Sequence, residues 1–291
     1  MDNTLSASPM QKMPRGGDLS IGGLLLESGK ITPDNAERVL RMQKELGIRF
    51  GEAAMRLGLI TEADIQQVLA RQFDYPYLQP GEAKYSDKLV AAFQPFSPQV
   101  EVLRAVRSQL MLRWFTRGHK ALVVLGIESG DGASLFAANL AVVFSQLGEH
   151  TLLVDANLRH PSQHEIFDLK NGQGLSDVLA GRAQFDVVSK IDSFVSLSVL
   201  SAGTLAPNPQ ELLSRSSFTG VNAQLEAAYD VVIYDTACFA TASDALAIAA
   251  RCGGVLLVAR KNKTLLDDVA LVTEQVNAAG AQVVGSILVD F

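Results

Sequence analysis

Short apolar segments alternate with longer mixed segments from residue 121 onward, and this alternation narrows the folds open to the chain more than any other feature. The apolar segments have the length of buried strands, whereas the segments between them have the length of helices. Such alternation predicts an α/β domain with a doubly wound parallel sheet, because right-handed crossovers carry helices over both faces. The predicted strands are Ala121–Leu125, Thr151–Val154, Val195–Leu200, Val231–Tyr234, Val255–Ala259 and Val283–Leu288. The predicted helices include Ser134–Leu147, Pro209–Arg215, Ala242–Arg251 and Leu265–Ala278.

A glycine-rich loop joins the first predicted strand to the first predicted helix, which is the context that a phosphate-binding loop requires. Backbone N–H groups of such a loop face an anion together with the helix N-terminus. The residues that would bind a nucleotide here are Gly130, Asp131, Gly132, Ala133 and Ser134. A Walker A loop has lysine in place of Ala133, and Glu128 and Asp131 add negative charge near the predicted phosphate position. Taken alone, the loop is equally compatible with a structural turn.

Two other predicted strands end in polar groups, which strengthens the case for a ligand site. Asp155 follows the strand at 151–154, and Asp235 follows the strand at 231–234. Ligands of doubly wound sheets bind beyond the carboxyl ends of the strands.

An internal repeat occupies the first eighty residues, with an offset of about 29 residues between its copies. Each copy is predicted to be a short helix, a glycine stop and a longer helix. Gly29 and Gly58 stand where a helix C-cap favours a left-handed residue. Thr32 is a predicted N-cap, and Thr61 with Asp64 forms a predicted capping box. A helical repeat whose residues serve only packing is one interpretation of this pattern.

Composition excludes several classes of protein. The net charge of −6 argues against a nucleic-acid polymer as partner, and two cysteines cannot build a disulfide scaffold or a four-cysteine zinc site. The first residues lack the apolar core of a signal peptide, and no apolar run approaches the ~18 residues of a spanning helix. We therefore expect an intracellular, soluble protein without a membrane span.

The predicted organisation has four parts. These are a flexible N-terminus at 1–19, a helical repeat domain at 20–78, a connection at 79–96 and an α/β domain at 97–291. The last part begins with a helix capped by Ser97, and Glu101, Arg104 and Arg107 lie near one face of that helix. Such a triplet is usually a solvated, salt-bridged surface.

The motifs of the last part, in their order, resemble the bacterial tyrosine kinases, or BY-kinases, which have a P-loop NTPase-like fold. They are the loop at 126–134, the Asp-x-Asn-x-Arg stretch at 155–159, the Pro-Asn-Pro-x-Glu-Leu-Leu stretch at 207–213 and Asp235-Thr236. The resemblance implies ATP or ADP with Mg²⁺ as the cofactor. It implies that Ser134 binds the metal, that Asp155 activates an incoming tyrosine and helps hold the metal, and that Asp235 binds the metal through water.

The same resemblance assigns two further groups of residues. Arg159 completes the second motif of the kinase site. Glu101, Arg104 and Arg107 match the Glu-x-x-Arg-x-x-Arg motif by which these kinases pack into rings, so a homo-oligomer is implied.

The N-terminal repeat is similar to the tandem motif of the MshEN domain of type II secretion and pilus assembly ATPases. Some members of that family bind cyclic di-GMP across the two motifs. The matching candidate residues are Gly22, Leu25, Leu26, Gly29, Gln43, Arg49, Gly51, Gly58 and Gln72. Exposed glycines let the backbone approach a ligand, leucines cover purine faces, and Arg and Gln read guanine edges. Ser20 and the Ala54-Met55 pair depart from the family pattern.

Together, the two parts resemble the EpsG-type, chain-length-determinant-associated tyrosine kinases of exopolysaccharide gene clusters. That resemblance implies a cytoplasmic protein, held peripherally at the inner membrane by a membrane-bound polysaccharide chain-length determinant. Ala133 replaces the Walker lysine, Asn157 replaces the second aspartate of its motif, and no tyrosine follows Tyr234.

These departures predict a catalytically impaired regulatory subunit. One alternative is an active ATP-dependent autokinase in which Arg159 or Lys261 replaces the missing lysine. A second alternative is a scaffold that senses cyclic di-GMP and binds no nucleoside triphosphate.

Overall fold

The computed structural model describes residues 20–72, 77–78, 83–170 and 172–290, with the backbone alone at 70–72. The predicted flexible N-terminus at 1–19 lies outside the described residues. The chain divides into two compact units, Met1–Tyr75 and Pro76–Phe291. In the described residues, no helix combines the length and apolar character needed to cross a membrane.

The first unit is a helical tandem repeat, as its sequence predicts. Its core is drawn from both copies and consists of Leu25, Ile31, Ala36, Val39, Ala53, Ala54, Ile60 and Val68. Its helices are α1 (Ile21–Glu27), α2 (Pro33–Leu46), α3 (Phe50–Arg56) and α4 (Glu62–Gln72).

Local signals at the helix ends of this unit are confirmed. Gly29 and Gly58 adopt positive φ angles of 68° and 66° after α1 and α3. Thr32 accepts a hydrogen bond from the N–H of Asn35 at the start of α2. Asp64 accepts a hydrogen bond from the N–H of Thr61 at 2.8 Å, and the N–H of Asp64 donates to the Thr61 hydroxyl.

The second unit is built on a seven-stranded sheet in the order β3-β4-β2-β5-β1-β6-β7. Its pairs are parallel except for β3 with β4, which is antiparallel. The strands are β1 (Ala121–Gly126), β2 (Thr151–Asp155), β3 (Ser189–Lys190), β4 (Leu197–Leu200), β5 (Val231–Asp235), β6 (Gly254–Arg260) and β7 (Gln282–Val289).

The six predicted strands are present, with two corrections. The prediction omitted β3, because two residues are too few to show a periodic pattern. The predicted start of β4 at Val195 is wrong, since Val195 is 98% exposed. A turn closed by the Phe194 N–H donating to the Ile191 carbonyl precedes the strand, so pairing begins only at Leu197.

Helices cover both faces of the sheet, and two clusters of buried side chains fill the space beneath them. The helices are α5 (Val90–Phe93), α6 (Pro98–Arg113), α7 (Ala133–Gln146), α8 (Gln163–Ile166), α9 (Leu175–Leu179), α10 (Pro209–Ser214), α11 (Ser217–Ala228), α12 (Asp244–Cys252) and α13 (Leu266–Ala278).

The described part of the predicted connection at 79–96 packs into this second unit. Leu89, Ala91 and Ala92 are fully buried around α5. The N–H of Ala91 donates to the Asn139 carboxamide oxygen on α7 at 2.8 Å. The buried apolar side chains of this segment therefore belong to the core of the second unit.

Strand order decides where a site can form. β1 lies between β5 and β6, and β2 lies beside β5. The carboxyl ends of β1, β2 and β5 therefore meet at one edge, where the glycine-rich loop leaves β1.

Candidate functional site

Asp155 and Asp235 lie at the carboxyl ends of neighbouring strands, where they are direct register partners. Neither side chain is exposed to solvent. Burial, followed by the charge of Asp235, raises the pKa of Asp155 above the usual carboxyl range. Burial also raises the pKa of Asp235, although the nearby donor groups of Gln163 and Ser134 oppose this rise. The pair is therefore a dry, acidic centre in which ionisation of both carboxyls is disfavoured.

Gln163, which the sequence analysis missed, forms hydrogen bonds with both aspartates and with Ser134. Its carboxamide nitrogen donates to Asp235 Oδ2 at 2.7 Å and to the Ser134 carbonyl at 3.0 Å. Its backbone N–H donates to Asp155 Oδ2 at 2.9 Å. The residue lies in the four-residue α8, and a single glutamine in so short a helix carries no sequence signal of a role.

Buried polar atoms remain unpaired around the two aspartates. Among the described residues, Asp235 Oδ1, Gln163 Oε1 and Ser162 Oγ are buried and have no hydrogen-bond partner. Buried polar groups are rarely left unsatisfied, so such a cluster indicates a place for an ion or water. Mg²⁺ takes oxygen ligands, usually one or two carboxylates together with waters. The structure places Ser134, Asp155 and Asp235 close together, and their oxygen atoms are of the kind that this metal binds.

The loop between β1 and α7 has the backbone of an anion-binding turn. Gly130 and Gly132 adopt φ angles of 81° and 76°, a region that favours glycine. Gly132 caps α7, a helix of 14 residues. The first amide groups of a helix have no partner within it, so those of Ala133 and Ser134 are free to meet an anion.

Acidic side chains of the loop are balanced by Lys263, a second residue that the sequence analysis missed. Asp131 is 1% exposed, and its Oδ2 accepts a hydrogen bond from the Glu128 N–H at 2.7 Å. Lys263 follows β6, and its Nζ lies 2.8 Å from the Ser129 carbonyl oxygen. The same Nζ lies 3.3 Å from Glu128 Oε2 and 3.4 Å from Asp131 Oδ1.

The two basic residues that the active-kinase alternative puts in place of the missing lysine have other partners. Arg159 forms a two-point ion pair with the buried Asp244, with contacts of 2.7 and 3.1 Å. Lys261 pairs with Asp290 at 2.6 Å on the surface. In this structure, both side chains are paired with carboxylates outside the glycine-rich loop. Arg159 anchors the segment after β2 to the start of α12.

The triplet on α6 does not share one free surface. Glu101 and Arg104 form an ion pair on the outside of the helix. Arg107 instead donates to the Val143 carbonyl on α7 at 2.7 Å, and burial lowers its pKa. Arg107 thus fastens α6 to α7, which leaves Glu101 and Arg104 as the outward-facing members of the motif.

The cyclic di-GMP candidates separate into packing residues and open residues. Leu25 is fully buried, and a Cβ at Gly22 would lie 3.1 Å from the Phe50 ring. A Cβ at Gly51 would lie 2.8 Å from Ile65 Cδ1, so this glycine also serves helix packing. The residues with open or part-open surroundings are Leu26, Gly29, Gln43, Arg49 and Gly58. The Gln72 side chain lies outside the described residues.

Comparison with known proteins gives a consistent set of similarities. The tyrosine-protein kinase YwqD of Bacillus subtilis (strain 168) is 33% identical over 200 residues, which are 69% of this chain and 84% of that protein. The kinase domain of the Escherichia coli tyrosine kinase ETK matches with a TM-score of 0.68 at 29% identity, over 74% of this chain and 84% of that one. The chimerical protein CapA2B2 matches with a TM-score of 0.66 at 32% identity, over 77% and 97%. No protein-family model matches the chain.

Proposed function

The chain belongs to the bacterial tyrosine kinase family, and from this membership we propose that it is a nucleotide-binding, catalytically impaired regulatory subunit of exopolysaccharide or capsule synthesis. It is a cytoplasmic, EpsG-type member that acts at the inner membrane with a membrane-bound chain-length determinant. The observation that carries the proposal is the unpartnered Asp235 Oδ1 within the buried group formed with Asp155 and Ser134. This group supports metal binding, while Ala133 removes the lysine of the adjoining loop.

The metal half of the site is intact. Ser134, Asp155 and Asp235 would hold Mg²⁺, which neutralises charge on the phosphate oxygens of a bound nucleotide. Gln163 keeps Asp235 in place from one side, and the backbone N–H groups of Ser162 and Gln163 keep Asp155 in place from the other. These contacts preorganise the two carboxylates before any ligand arrives.

The transfer half of the site is incomplete. Without a lysine at position 133, the loop lacks the point charge that stabilises the negative charge developing on the transferred phosphoryl group. Removal of one such group costs about 3 kcal/mol of transition-state stabilisation. Residues 235–291 also contain no tyrosine that could serve as an acceptor. Binding with little turnover is the expected result.

Calorimetric titration with Mg-ADP and an autophosphotyrosine assay with Mg-ATP test the proposal together. We expect binding by the native protein, loss of that binding in Asp235→Asn, and no phosphotyrosine. The Ala133→Lys variant should bind more tightly. Phosphotyrosine formed by the native protein would overturn the impaired assignment in favour of an active autokinase. Absence of Mg-ADP binding by a folded native protein would overturn nucleotide binding itself.

A second candidate function concerns the first unit, which we assign to the MshEN type. Leu26 and Met55 occupy matching positions of the repeat, and each is 37% exposed. They lie close in sequence to Gly29 and Gly58, around which no heavy atom would meet an added Cβ. Two exposed apolar side chains beside open backbone are suited to a flat purine. Titration with cyclic di-GMP tests this proposal. Leu26→Ser is the test variant, and Leu46→Ser is the control at an exposed leucine.

We also propose a homo-oligomer that uses the outward-facing part of the α6 motif. Glu101 and Arg104 pair with each other on the outside of the helix and are available to a neighbouring copy. Charge reversal at Arg104 should lower the oligomer mass in light scattering. An unchanged mass would contradict this assembly.

A further inference from the structure

We propose that Lys263 is a positioning residue that helps the acidic loop accept nucleotide phosphates, by offsetting part of the negative charge of Glu128 and Asp131. The inference deepens the proposed function and rests on it. Its basis is the juxtaposition of one amine with three oxygen atoms of the loop, within 2.8 to 3.4 Å.

Without Lys263, two carboxylates would stand without this cation near the position of a bound polyanion. Glu128 and Asp131 stand within the stretch whose backbone would surround the phosphates, and Asp131 already takes the Glu128 N–H. The two carboxylates would repel the phosphate groups of a nucleotide, and such repulsion is strong where water is scarce. Asp131 is 1% exposed. A cation held between the two carboxylates offsets one of their two negative charges and so weakens this repulsion. Lys263 brings this cation to the loop from the turn after β6.

A tight turn sets the direction of the Lys263 side chain. The turn after β6 is closed by the N–H groups of Lys263 and Thr264, which donate to the Arg260 carbonyl at 3.2 and 2.9 Å. The Arg260 N–H donates to the Thr264 hydroxyl at 2.8 Å, and Asn262 adopts a left-handed φ of 60°. Asparagine tolerates this conformation better than most residues. Lys263 is therefore carried by a defined backbone, which lowers the entropy lost when its amine is held on the loop.

The neighbouring Lys261 supplies a matched control. It lies two residues away on the same turn, and it is paired with Asp290 rather than with the loop. Both lysines have partly exposed side chains. Replacement of either one by methionine changes the net charge of the protein by the same amount. Only the loss of Lys263 uncovers the carboxylates of the loop.

The experiment is calorimetric titration of the full chain with Mg-ADP, with melting curves to establish folding. Lys263→Met should weaken binding about tenfold or more, whereas Lys261→Met should leave it unchanged. Glu128→Gln and Asp131→Asn, introduced together into Lys263→Met, should restore affinity to within about threefold of the native value. The carboxamide that Asp131→Asn introduces keeps an oxygen acceptor for the Glu128 N–H.

Three results would overturn the inference. Native affinity in Lys263→Met would show that the amine is not needed. If Glu128→Gln and Asp131→Asn fail to restore affinity to Lys263→Met, Lys263 does not act by offsetting the charge of these two carboxylates. No binding by the native protein would overturn the proposed function as well. If Lys263→Met fails to fold, Glu128→Gln in the native background should still tighten Mg-ADP binding, and an unchanged affinity would contradict the inference.

Discussion

Gln163 and Asp235 are joined by a 2.7 Å hydrogen bond between two fully buried side chains. The donor comes from α8 and the acceptor from the end of β5, so the bond links elements that are far apart in the sequence. It satisfies one carboxylate oxygen of Asp235 and leaves the other without a partner among the described residues. The carboxylate is thus fixed in direction and still has a lone pair to offer.

The metal-free protein should lose stability as the pH rises. Burial raises the pKa of Asp155 and of Asp235, so above about pH 4 these two carboxyls hold more protons in the folded chain than in the unfolded chain. Unfolding free energy then falls with pH until both carboxyls are ionised. Thermal melts from about pH 5 to pH 8 in chelator would measure this decline.

Mg²⁺ should offset the decline, since the metal binds the ionised carboxylates. The stabilisation by Mg²⁺ should therefore grow with pH and be largely absent from Asp235→Asn. Equal stabilisation of that variant at every pH would contradict the metal assignment.

Replacement of Gln163 by leucine should destabilise the protein by about 2 kcal/mol, because Asp235 then loses its buried donor. The effect should be smaller at low pH, where a protonated Asp235 no longer needs a donor as strongly. Urea unfolding at two pH values would measure it. Gln210→Leu is the matched control, since the Gln210 hydrogen bond to Ser243 is exposed. Equal costs for the two variants would contradict the proposed role of Gln163.

Replacement of Arg159 by alanine should cost about 3 kcal/mol, because it leaves the Asp244 carboxylate buried without its ion-pair partner. Lys261→Ala removes an exposed, solvent-screened pair and should have a much smaller effect on stability than Arg159→Ala. Denaturant unfolding of both variants makes the comparison. A further substitution of Asp244 by asparagine in Arg159→Ala should recover part of the loss, and a further large loss would argue against this explanation.

Substitution of Gly254 by alanine should destabilise the second unit by about 1 to 3 kcal/mol. A Cβ at Gly254 would overlap the indole ring of Trp114, which is 1% exposed and donates to the Ala121 carbonyl at 2.9 Å. Trp114 is the single tryptophan of the chain, so its fluorescence should report the displacement directly. Gly285→Ala is the control, because its Cβ would make an ordinary contact at 3.5 Å with Leu256. A native emission spectrum in Gly254→Ala would contradict this prediction.

Much of the fold is predictable from the sequence because the responsible interactions are local. Strand-length apolar runs and the caps at Thr32, Gly29 and Gly58 depend on neighbours within a few residues. The aspartates at the ends of β2 and β5 are also placed by simple topology, since parallel strands align their carboxyl ends. A two-residue strand such as β3 cannot be predicted in this way, because it forms only where the edge of β4 is open for pairing.

The sequence by itself determined the α/β class, the tandem helical repeat and the two acidic strand ends. Only the tertiary structure decided which oxygen atoms each cation contacts: Lys263 contacts the glycine-rich loop, whereas Arg159 binds the Asp244 carboxylate and Arg107 binds the Val143 carbonyl. Backbone conformation follows from short-range propensity and burial, which the order of residues carries directly. The partner of a long charged side chain depends instead on which oxygens the folded chain brings within its reach, and Lys263 lies 134 positions from Ser129, whose carbonyl it contacts.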